Sequence, residues 1–432
     1  MNRANVIIFS ALLTVISMMV TPSRAATPFE FRALCTPTNN NPKAWGIKGT
    51  HNVDNDWGLW GHNIWKVVGK KPSRDIYAIV NGERDTTQYC FTSPMLYKYL
   101  EEWIIDYWGE KGARFSIIPG DNKRVCQCFR CKQIGCTRTS ATPAVADMLT
   151  RLADKFPQHQ FFMASYHSTT EPPTKPLPKN AGVMLSTMAI PFRYNFYENK
   201  GFHKFDAIVK AWKEVTPLLY VWEYNRNFDD YLSPYPCLFI LQERFKYYHS
   251  VGISGVFING SGYDYSSFDD VQSYVMAKLM FDSEVDVERL VRTFYKKYYP
   301  KSGSIIADYY LALEKRAKET NHILPYYGTI EEEVESYLNP KEFAAFWDEL
   351  NEKKASLSGQ ERTLVDNMLT AFAYTRFMLL NTPGAGSENE SMVEAQRQKF
   401  LRILGNHVNV PGLVNYKEIT SPLDQFIKEH SK

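Results

Sequence analysis

The sequence predicts an α/β fold, a distorted (β/α)8 TIM-like barrel followed by a C-terminal α-helical domain. Eight short β-branched or aromatic runs recur before residue 260, and helical stretches separate several of them. Eight is the number of strands that a closed barrel of this type requires. Beyond residue 286 the strand-like runs stop and only helical spacing remains.

The eight runs share a β-branched or aromatic composition and turn residues at their ends. They are Phe29–Leu34, Gly58–Asn63, Tyr77–Val80, Phe115–Ile118, Phe161–Tyr166, Val183–Met188, Leu219–Glu223 and Gly255–Asn259. Ser93-Pro94 and Thr142-Pro143 predict helix starts, because a capping residue there precedes proline at the first helical position. The polar stretch Thr38–Pro42 and the proline-rich stretch Glu171–Pro178 predict long loops where a regular barrel would have helices.

The N-terminal 25 residues predict a secretory signal peptide. Arg3 precedes an apolar run, Val6–Val20, and the small-x-small sequence Ser23-Arg-Ala25 follows it. We therefore expect a periplasmic or secreted protein. The predicted organisation is a signal peptide over 1–25, a barrel over 26–300 and a helical domain over 301–432.

Charge and composition exclude several classes of partner. The net charge is only +3, and basic residues are interspersed with acidic ones, so we expect neither nucleic-acid binding nor a membrane span. Aromatic residues make up 14% of the chain. That content is typical of a large core, and it also suits a cleft that binds sugar rings, so the expected partner is a glycan or oligosaccharide.

Two acids at predicted strand ends are the candidate catalytic residues. Asp121 follows the fourth predicted strand and Glu223 ends the seventh. Carboxyl ends of parallel strands form the ligand crevice, and glycosidic cleavage needs two carboxyl groups. The alternative is a structural ion pair or a helix cap for either acid.

Polar and aromatic residues near the same strand ends are the candidate substrate-binding residues. These are His62, Trp60, Asn122, Tyr166, His167, Tyr224, Asn225 and Asn259. A histidine there can donate to a sugar hydroxyl or adjust a carboxyl pKa, although a core histidine satisfied by its neighbours is an equal alternative.

The cysteine cluster Cys126-Gln-Cys128-Phe-Arg-Cys131 is the most unusual local pattern. These three thiols could ligate a structural zinc ion with a fourth, either Cys90 or Cys136. Export favours disulfides instead, and the spacing leaves both open. No cofactor is expected for catalysis. Because the cluster follows Asp121, either kind of bond would hold the loop that carries this acid.

Five motifs occur in one order: Gly58–His62, Gln88–Pro94, Asp121–Cys131, Leu219–Tyr224 and Gly255–Gly260. Together they resemble the family catalogued as domain of unknown function 4838, which overlaps glycoside hydrolase family 163, over roughly residues 27–315. The resemblance implies a TIM-like barrel and an endo-β-N-acetylglucosaminidase acting on N-glycans. We expect retaining chemistry, and if the substrate is an N-acetylhexosaminide, its own acetamide could serve as the nucleophile. Relatives often carry an acid where Ile258 stands.

Three functions follow as hypotheses. The first is a glycoside hydrolase that uses Asp121 and Glu223, in which either acid could take either role. The second is a non-catalytic glycan-binding barrel. It is suggested by Ile258, which stands where relatives often carry an acid. The third is a structural metal-binding protein whose main site is the cysteine cluster.

Overall fold

A curled sheet of seven parallel strands forms the centre of the molecule. The computed structural model describes residues 28–380, 382, 390–418 and 421–431, so the predicted signal peptide lies outside the described residues. The strands are β1 (Phe31–Cys35), β2 (Trp57–Leu59), β5 (Arg114–Ser116), β6 (Gln160–Ser165), β7 (Ala181–Ser186), β8 (Leu219–Tyr224) and β9 (Gly255–Asn259), with β3 and β4 placed elsewhere. Their order is β1-β9-β8-β7-β6-β5-β2, and all neighbours are parallel.

The sheet curls into a half-barrel, but no ladder closes it among the described residues, since β1 and β2 stand at its two edges. The rings of Phe31 and Trp57, on those two edge strands, lie 5.6 Å apart. His51 forms an isolated bridge with Ala33 on β1. Side chains therefore fill the interior between the edges. This partly confirms the predicted fold: it is α/β with a barrel-like sheet, and the sheet has seven strands.

The third predicted strand, Tyr77–Val80 (β3), leaves the barrel and pairs with β4 (Glu83–Tyr89) in an antiparallel hairpin. The two residues between these strands are Asn81 and Gly82, with φ angles of 53° and 90°. Asn-Gly is the preferred pair for a two-residue hairpin turn, in which both central residues need positive φ. The prediction of an eight-stranded barrel is wrong at this strand for that reason.

Alternation along each strand separates an inner face from an outer one. Rings from five strands pack in the barrel interior: Phe31, Trp57, Phe162, Tyr220 and Phe257. The intervening residues face the surrounding helices and join the main core, as Leu34, Val221 and Ile258 do. The face on which a residue lies therefore decides whether it can reach the mouth of the barrel.

Helices surround the sheet and continue to the C-terminus. They are α1 (Val53–Asp56), α2 (Ile64–Val68), α3 (Pro94–Tyr107), α4 (Phe129–Gln133), α5 (Thr142–Lys155), α6 (Lys200–Lys213), α7 (Leu238–Val251), α8 (Asp269–Leu279), α9 (Val287–Tyr298), α10 (Gly303–Thr320), α11 (Ile330–Ser336), α12 (Pro340–Lys353), α13 (Gly359–Leu379), α14 (Glu390–Leu404) and α15 (Leu423–His430). The predicted cap of α3 is confirmed, because the Ser93 hydroxyl accepts a bond from the Leu96 N–H at 3.2 Å. Helix α5 instead includes Thr142 as its first residue.

The C-terminal helices pack directly on the helices of the barrel. Buried Glu314 of α10 accepts hydrogen bonds from the backbone N–H groups of Cys237, Leu238 and Phe239, at 2.9–3.1 Å. A carboxylate at this position satisfies free N–H groups and complements the positive end of α7. The boundary near residue 300 stays a prediction. Every helix among the described residues is too short or too polar to span a lipid bilayer.

Candidate active site

A cavity of about 220 Å³ lies at the carboxyl ends of the strands. Its walls combine carboxylates, aromatic rings and small polar groups. They are His62, Ile118, Asp121, Ala164, Tyr166, Met184, Ser186, Met188, Trp222, Tyr224, Asn259, Tyr327 and Glu418. Five of the sequence-predicted site residues are among them: His62, Asp121, Tyr166, Tyr224 and Asn259. The cavity thus lies where ligands are expected to bind in a parallel sheet.

Asp121 presents its carboxylate to the cavity from the loop after β5. Its side chain is 62% exposed, and Oδ1 lies 3.6 Å from Nε2 of His167. Two hydrogen bonds hold the preceding residue, Gly120, against Gln88: the Gln88 amide donates to the Gly120 carbonyl at 3.2 Å, and the Gly120 N–H donates to Gln88 Oε1 at 2.9 Å. A Cβ on Gly120 would lie 2.5 Å from the Thr87 carbonyl oxygen, so this close approach requires glycine. The acid is therefore accessible on a fixed loop.

Tyr166 and the two histidines surround Asp121. The Tyr166 and His167 rings stack at 3.8 Å. Burial, together with the nearby Asp121 charge, raises the pKa of Tyr166 to about 12. Burial lowers the pKa of His167, although Asp121 opposes this shift. His62 Nδ1 lies 2.6 Å from the carbonyl oxygen of Pro119. At neutral pH, Tyr166 and His167 are therefore neutral groups that can hydrogen-bond beside one carboxylate.

An aromatic surface forms another part of the cavity. Trp222 and Tyr224 occupy alternate positions of β8 and therefore point to the same side. The Trp222 indole stacks on Trp60 with centroids 5.1 Å apart and planes 12° apart. Trp60 therefore supports the cavity wall from behind and is not one of the lining residues. The Ser186 and Tyr224 hydroxyls lie 3.4 Å apart and add polar groups to the same surface.

Glu223 does not face this cavity. Its side chain is fully buried, and both carboxylate oxygens lie within 2.9 Å of Arg244 Nη1. The Thr187 hydroxyl and the Tyr224 N–H donate to Oε1 at 2.7 and 2.8 Å, and the Tyr248 hydroxyl donates to Oε2. The expectation that Glu223 converges with Asp121 is wrong, because the residue between two inward-pointing aromatic residues must point outward. The structure makes it half of a buried ion pair, as the alternative interpretation had it.

The same alternation removes two further positions from the cavity. Asn225 is completely buried, and its Nδ2 lies 3.7 Å from the Met276 sulfur. The prediction that Asn225 contacts substrate is therefore wrong. Ile258 is also fully buried, within the main core and paired in register with Glu223, whereas its neighbour Asn259 lines the cavity. An acid at position 258 would not reach the cavity either.

Asn122 and His167 lie beside the cavity and not in its main wall, both in a small adjoining depression. Asn122 positions the loop: its Nδ2 donates to the Thr87 carbonyl at 3.0 Å, and its Oδ1 accepts from the Arg124 N–H at 3.0 Å. His167 contacts Asp121 as described. The structure thus gives Asn122 a supporting position and keeps His167 close to the candidate acid.

Glu418 is a second carboxylate on the cavity wall, contributed by the segment before α15. Its Oε2 accepts a hydrogen bond from the Tyr327 hydroxyl at 2.7 Å, and its N–H donates to the Phe228 carbonyl at 2.8 Å. Burial and Glu418 together raise the pKa of Tyr327. Sequence reasoning missed both residues because they lie far along the chain, beyond the predicted barrel.

The three cysteines predicted as metal ligands, Cys126, Cys128 and Cys131, come together outside the cavity. Cys90 joins them, and all four sulfurs lie within 4.8 Å of one another. The structure thus selects Cys90 as the fourth member of the group, and every one of the seven cysteines is free. The cavity and the cysteine group are linked through the loop 120–126.

Comparison with known proteins identifies a family and includes a weak structural likeness. The solved structure titled "Structure of CpGH84B" aligns with 94% of this chain and 77% of its own, at 12% identity and a TM-score of 0.35. A score this low does not establish a shared fold. No curated protein matches the chain. The model of the family described as "Domain of unknown function (DUF4838)" matches residues 39–311, which is more than half of the 432 residues, and the chain belongs to this family.

Proposed function

We propose that this protein is an exported glycoside hydrolase whose substrate glycan binds in the cavity at the carboxyl ends of the strands. The observation that carries the proposal is the pairing, in one cavity, of an exposed carboxylate with an aromatic surface: Asp121 on the loop after β5, and Trp222 and Tyr224 on β8. Sugar rings offer apolar faces and hydroxyl edges, so they suit such a mixed wall.

Binding rests on the aromatic surface and the polar groups around it. The indole of Trp222 is held flat by Trp60 behind it, so a sugar ring can stack on it with little rearrangement. Asn259, Ser186 and His62 lie on the same wall and supply side-chain donors and acceptors for hydroxyl groups. The cavity volume of about 220 Å³ is small, which favours one or two sugar units in close contact.

Cleavage requires two groups, one to protonate the leaving oxygen and one to stabilise the oxocarbenium-like carbon. Asp121 is the first candidate because it is solvent-accessible and has hydrogen-bonding neighbours in Tyr166 and His167. Glu418 takes the place that the sequence had suggested for Glu223, because it is the acid that shares the cavity with Asp121. The Tyr327 hydroxyl fixes the orientation of this carboxylate.

Within this class we propose an N-acetylhexosaminide substrate, as in the N-glycan core. The acetamide of such a sugar can act as the nucleophile, which leaves one protein acid to orient it and one to exchange the proton. In this proposal Asp121 and Glu418, which line the same cavity, take these two roles. The retaining outcome follows from the double displacement that this mechanism entails.

The test is cleavage of a glycan panel followed by mass spectrometry. N-glycans and polysaccharides are incubated with wild type, Asp121→Asn and the matched control Asp154→Asn, which alters an exposed acid on α5 away from the cavity. We expect product with wild type and the control, and a rate lower by on the order of 10²–10⁴ for Asp121→Asn. Binding of glycan without product from wild type would refute the hydrolase and support a binding protein.

A further inference from the structure

Four cysteine sulfurs from two separate segments meet beside the loop that carries Asp121. Cys90 directly follows β4, whereas Cys126, Cys128 and Cys131 lie in the loop before and within α4. The Cys90 sulfur is 3.7 Å from that of Cys128 and 3.8 Å from that of Cys131. All four lie within 4.8 Å of one another, and three of the four residues are buried.

These separations fit one tetrahedral metal ion. With zinc–sulfur bonds of about 2.3 Å, the sulfurs at the corners of a regular tetrahedron are about 3.8 Å apart. The observed distances are too long for sulfur–sulfur bonds, which measure about 2.05 Å, and all four cysteines are free. A tetrahedral set of four sulfurs is characteristic of zinc or iron, and zinc is the usual ion of such closed structural sites.

The surroundings of the sulfurs also suit thiolate ligands. The Cys131 N–H donates to the Cys128 sulfur at 3.4 Å, across the two-residue spacing of a Cys-x-x-Cys turn. The Ile79 N–H on β3 donates to the Cys126 sulfur at 3.3 Å. The Thr92 hydroxyl lies 3.2 Å from the Cys131 sulfur. Such donors stabilise negative sulfur and orient the ligands around a metal.

We propose that Cys90, Cys126, Cys128 and Cys131 bind a single structural Zn²⁺ ion that fastens the β3–β4 hairpin to the loop carrying Asp121. Cys90 stands two residues after Gln88, whose side chain holds Gly120 by two hydrogen bonds. Cys126 stands five residues after Asp121. The segment 120–126 is therefore attached to the hairpin at both ends. Zinc binds it at Cys126, and Gln88 holds it at Gly120.

Cys136 provides the control inside the same region. It is buried close to Cys131, and its sulfur lies 4.0 Å from the Ala141 carbonyl oxygen, yet it is outside the group of four. A site made of any nearby thiols would depend on it. The proposed site does not.

The experiment measures the metal content of the purified full chain by inductively coupled plasma mass spectrometry, for wild type, Cys90→Ser and Cys136→Ser. We expect one zinc per chain in wild type and in Cys136→Ser, and loss of the zinc in Cys90→Ser. With Co²⁺ in place of zinc, wild type should show the visible absorption of a tetrahedral thiolate site. Chelation of the metal should expose four additional thiols to a thiol reagent.

Several results would overturn the proposal. One is wild-type protein without zinc, or with disulfides among these four cysteines by mass spectrometry. Iron in place of zinc would assign the site to another metal. Equal loss of zinc in Cys136→Ser and Cys90→Ser would refute the ligand set. If Cys90→Ser fails to fold, the zinc content and Co²⁺ spectrum of wild type still decide the matter, since they need no variant.

Discussion

Glu223→Gln should greatly lower the free energy of unfolding, whereas Asp121→Asn should leave it unchanged. Both substitutions replace an acid by its amide at a position that the sequence had suggested as catalytic. They differ in setting. Glu223 is fully buried and faces Arg244, which is also fully buried, whereas the Asp121 side chain is 62% exposed.

The magnitude follows from the contacts of the Glu223 carboxylate. Arg244, Thr187, Tyr224 and Tyr248 all donate to it. An amide removes the negative charge and presents an N–H to donors, so the Arg244 guanidinium loses its buried counter-ion. Burial disfavours this cation and Glu223 favours it, and the net pKa of Arg244 is raised. Removing one partner of a buried pair costs about 3–5 kcal/mol.

Urea denaturation followed by circular dichroism measures this difference. We expect the free energy of unfolding to fall by about 3–5 kcal/mol for Glu223→Gln and to stay within about 0.5 kcal/mol of wild type for Asp121→Asn. Arg244→Met combined with Glu223→Gln should cost less than the sum of the two single changes, since the groups interact directly. A Glu223→Gln protein as stable as wild type would refute the assignment of Glu223 as a structural ion pair.

Three further predictions concern other positions. Glu418→Gln should lower the cleavage rate by on the order of 10²–10⁴ with unchanged stability, and wild-type turnover of any cleaved glycan would remove Glu418 from the site. Ile258→Glu should destabilise the fold by more than about 2 kcal/mol, because it buries a carboxylate, while Asn259→Asp in the cavity should be tolerated; equal thermal stability of the two variants would contradict their opposite orientation. Burial raises the pKa of Asp230 to about 6 from an ordinary 3.8, so the folded state binds the extra proton between these values and stability falls as pH rises through them. Relative to Asp230→Asn, the free energy of unfolding of wild type should therefore fall by on the order of 3 kcal/mol between about pH 4 and pH 7, as measured by urea denaturation. A difference in unfolding free energy between the two proteins that does not change with pH would contradict this.

The sequence was sufficient to predict the class of fold and most of its strands. Seven of the eight predicted runs form the parallel sheet, because buried strands have distinctive β-branched and aromatic composition. The remaining run, Tyr77–Val80, has the same composition. Its Asn81-Gly82 turn was the available signal that it pairs locally in a hairpin.

Alternation of side chains along a strand would have removed Glu223 from the candidate catalytic residues. Trp222 and Tyr224 are two residues apart on β8, so a cavity that contains both excludes Glu223 from the same face. Asn259 and Ile258 are related in the same way. Alternation along a strand is readable from the sequence once one inward-facing residue is known, but which face is inward depends on packing.

Other parts of the site could not be predicted from local patterns. Glu418 reaches the cavity through a contact between its backbone and Phe228, separated by 190 residues, and no periodicity encodes such a contact. The choice of Cys90 over Cys136 in the cysteine group likewise depends on the position of the β3–β4 hairpin. Both depend on the three-dimensional fold.

Release of sugar product by wild type and by Asp121→Asn tests whether this cavity hydrolyses glycans with Asp121 as a catalytic acid. The substrate is an N-glycan followed over time by mass spectrometry, with Asp154→Asn as the control. We expect steady product from wild type and the control, and a rate lower by on the order of 10²–10⁴-fold for Asp121→Asn at unchanged stability. Equal rates for wild type and Asp121→Asn would contradict it.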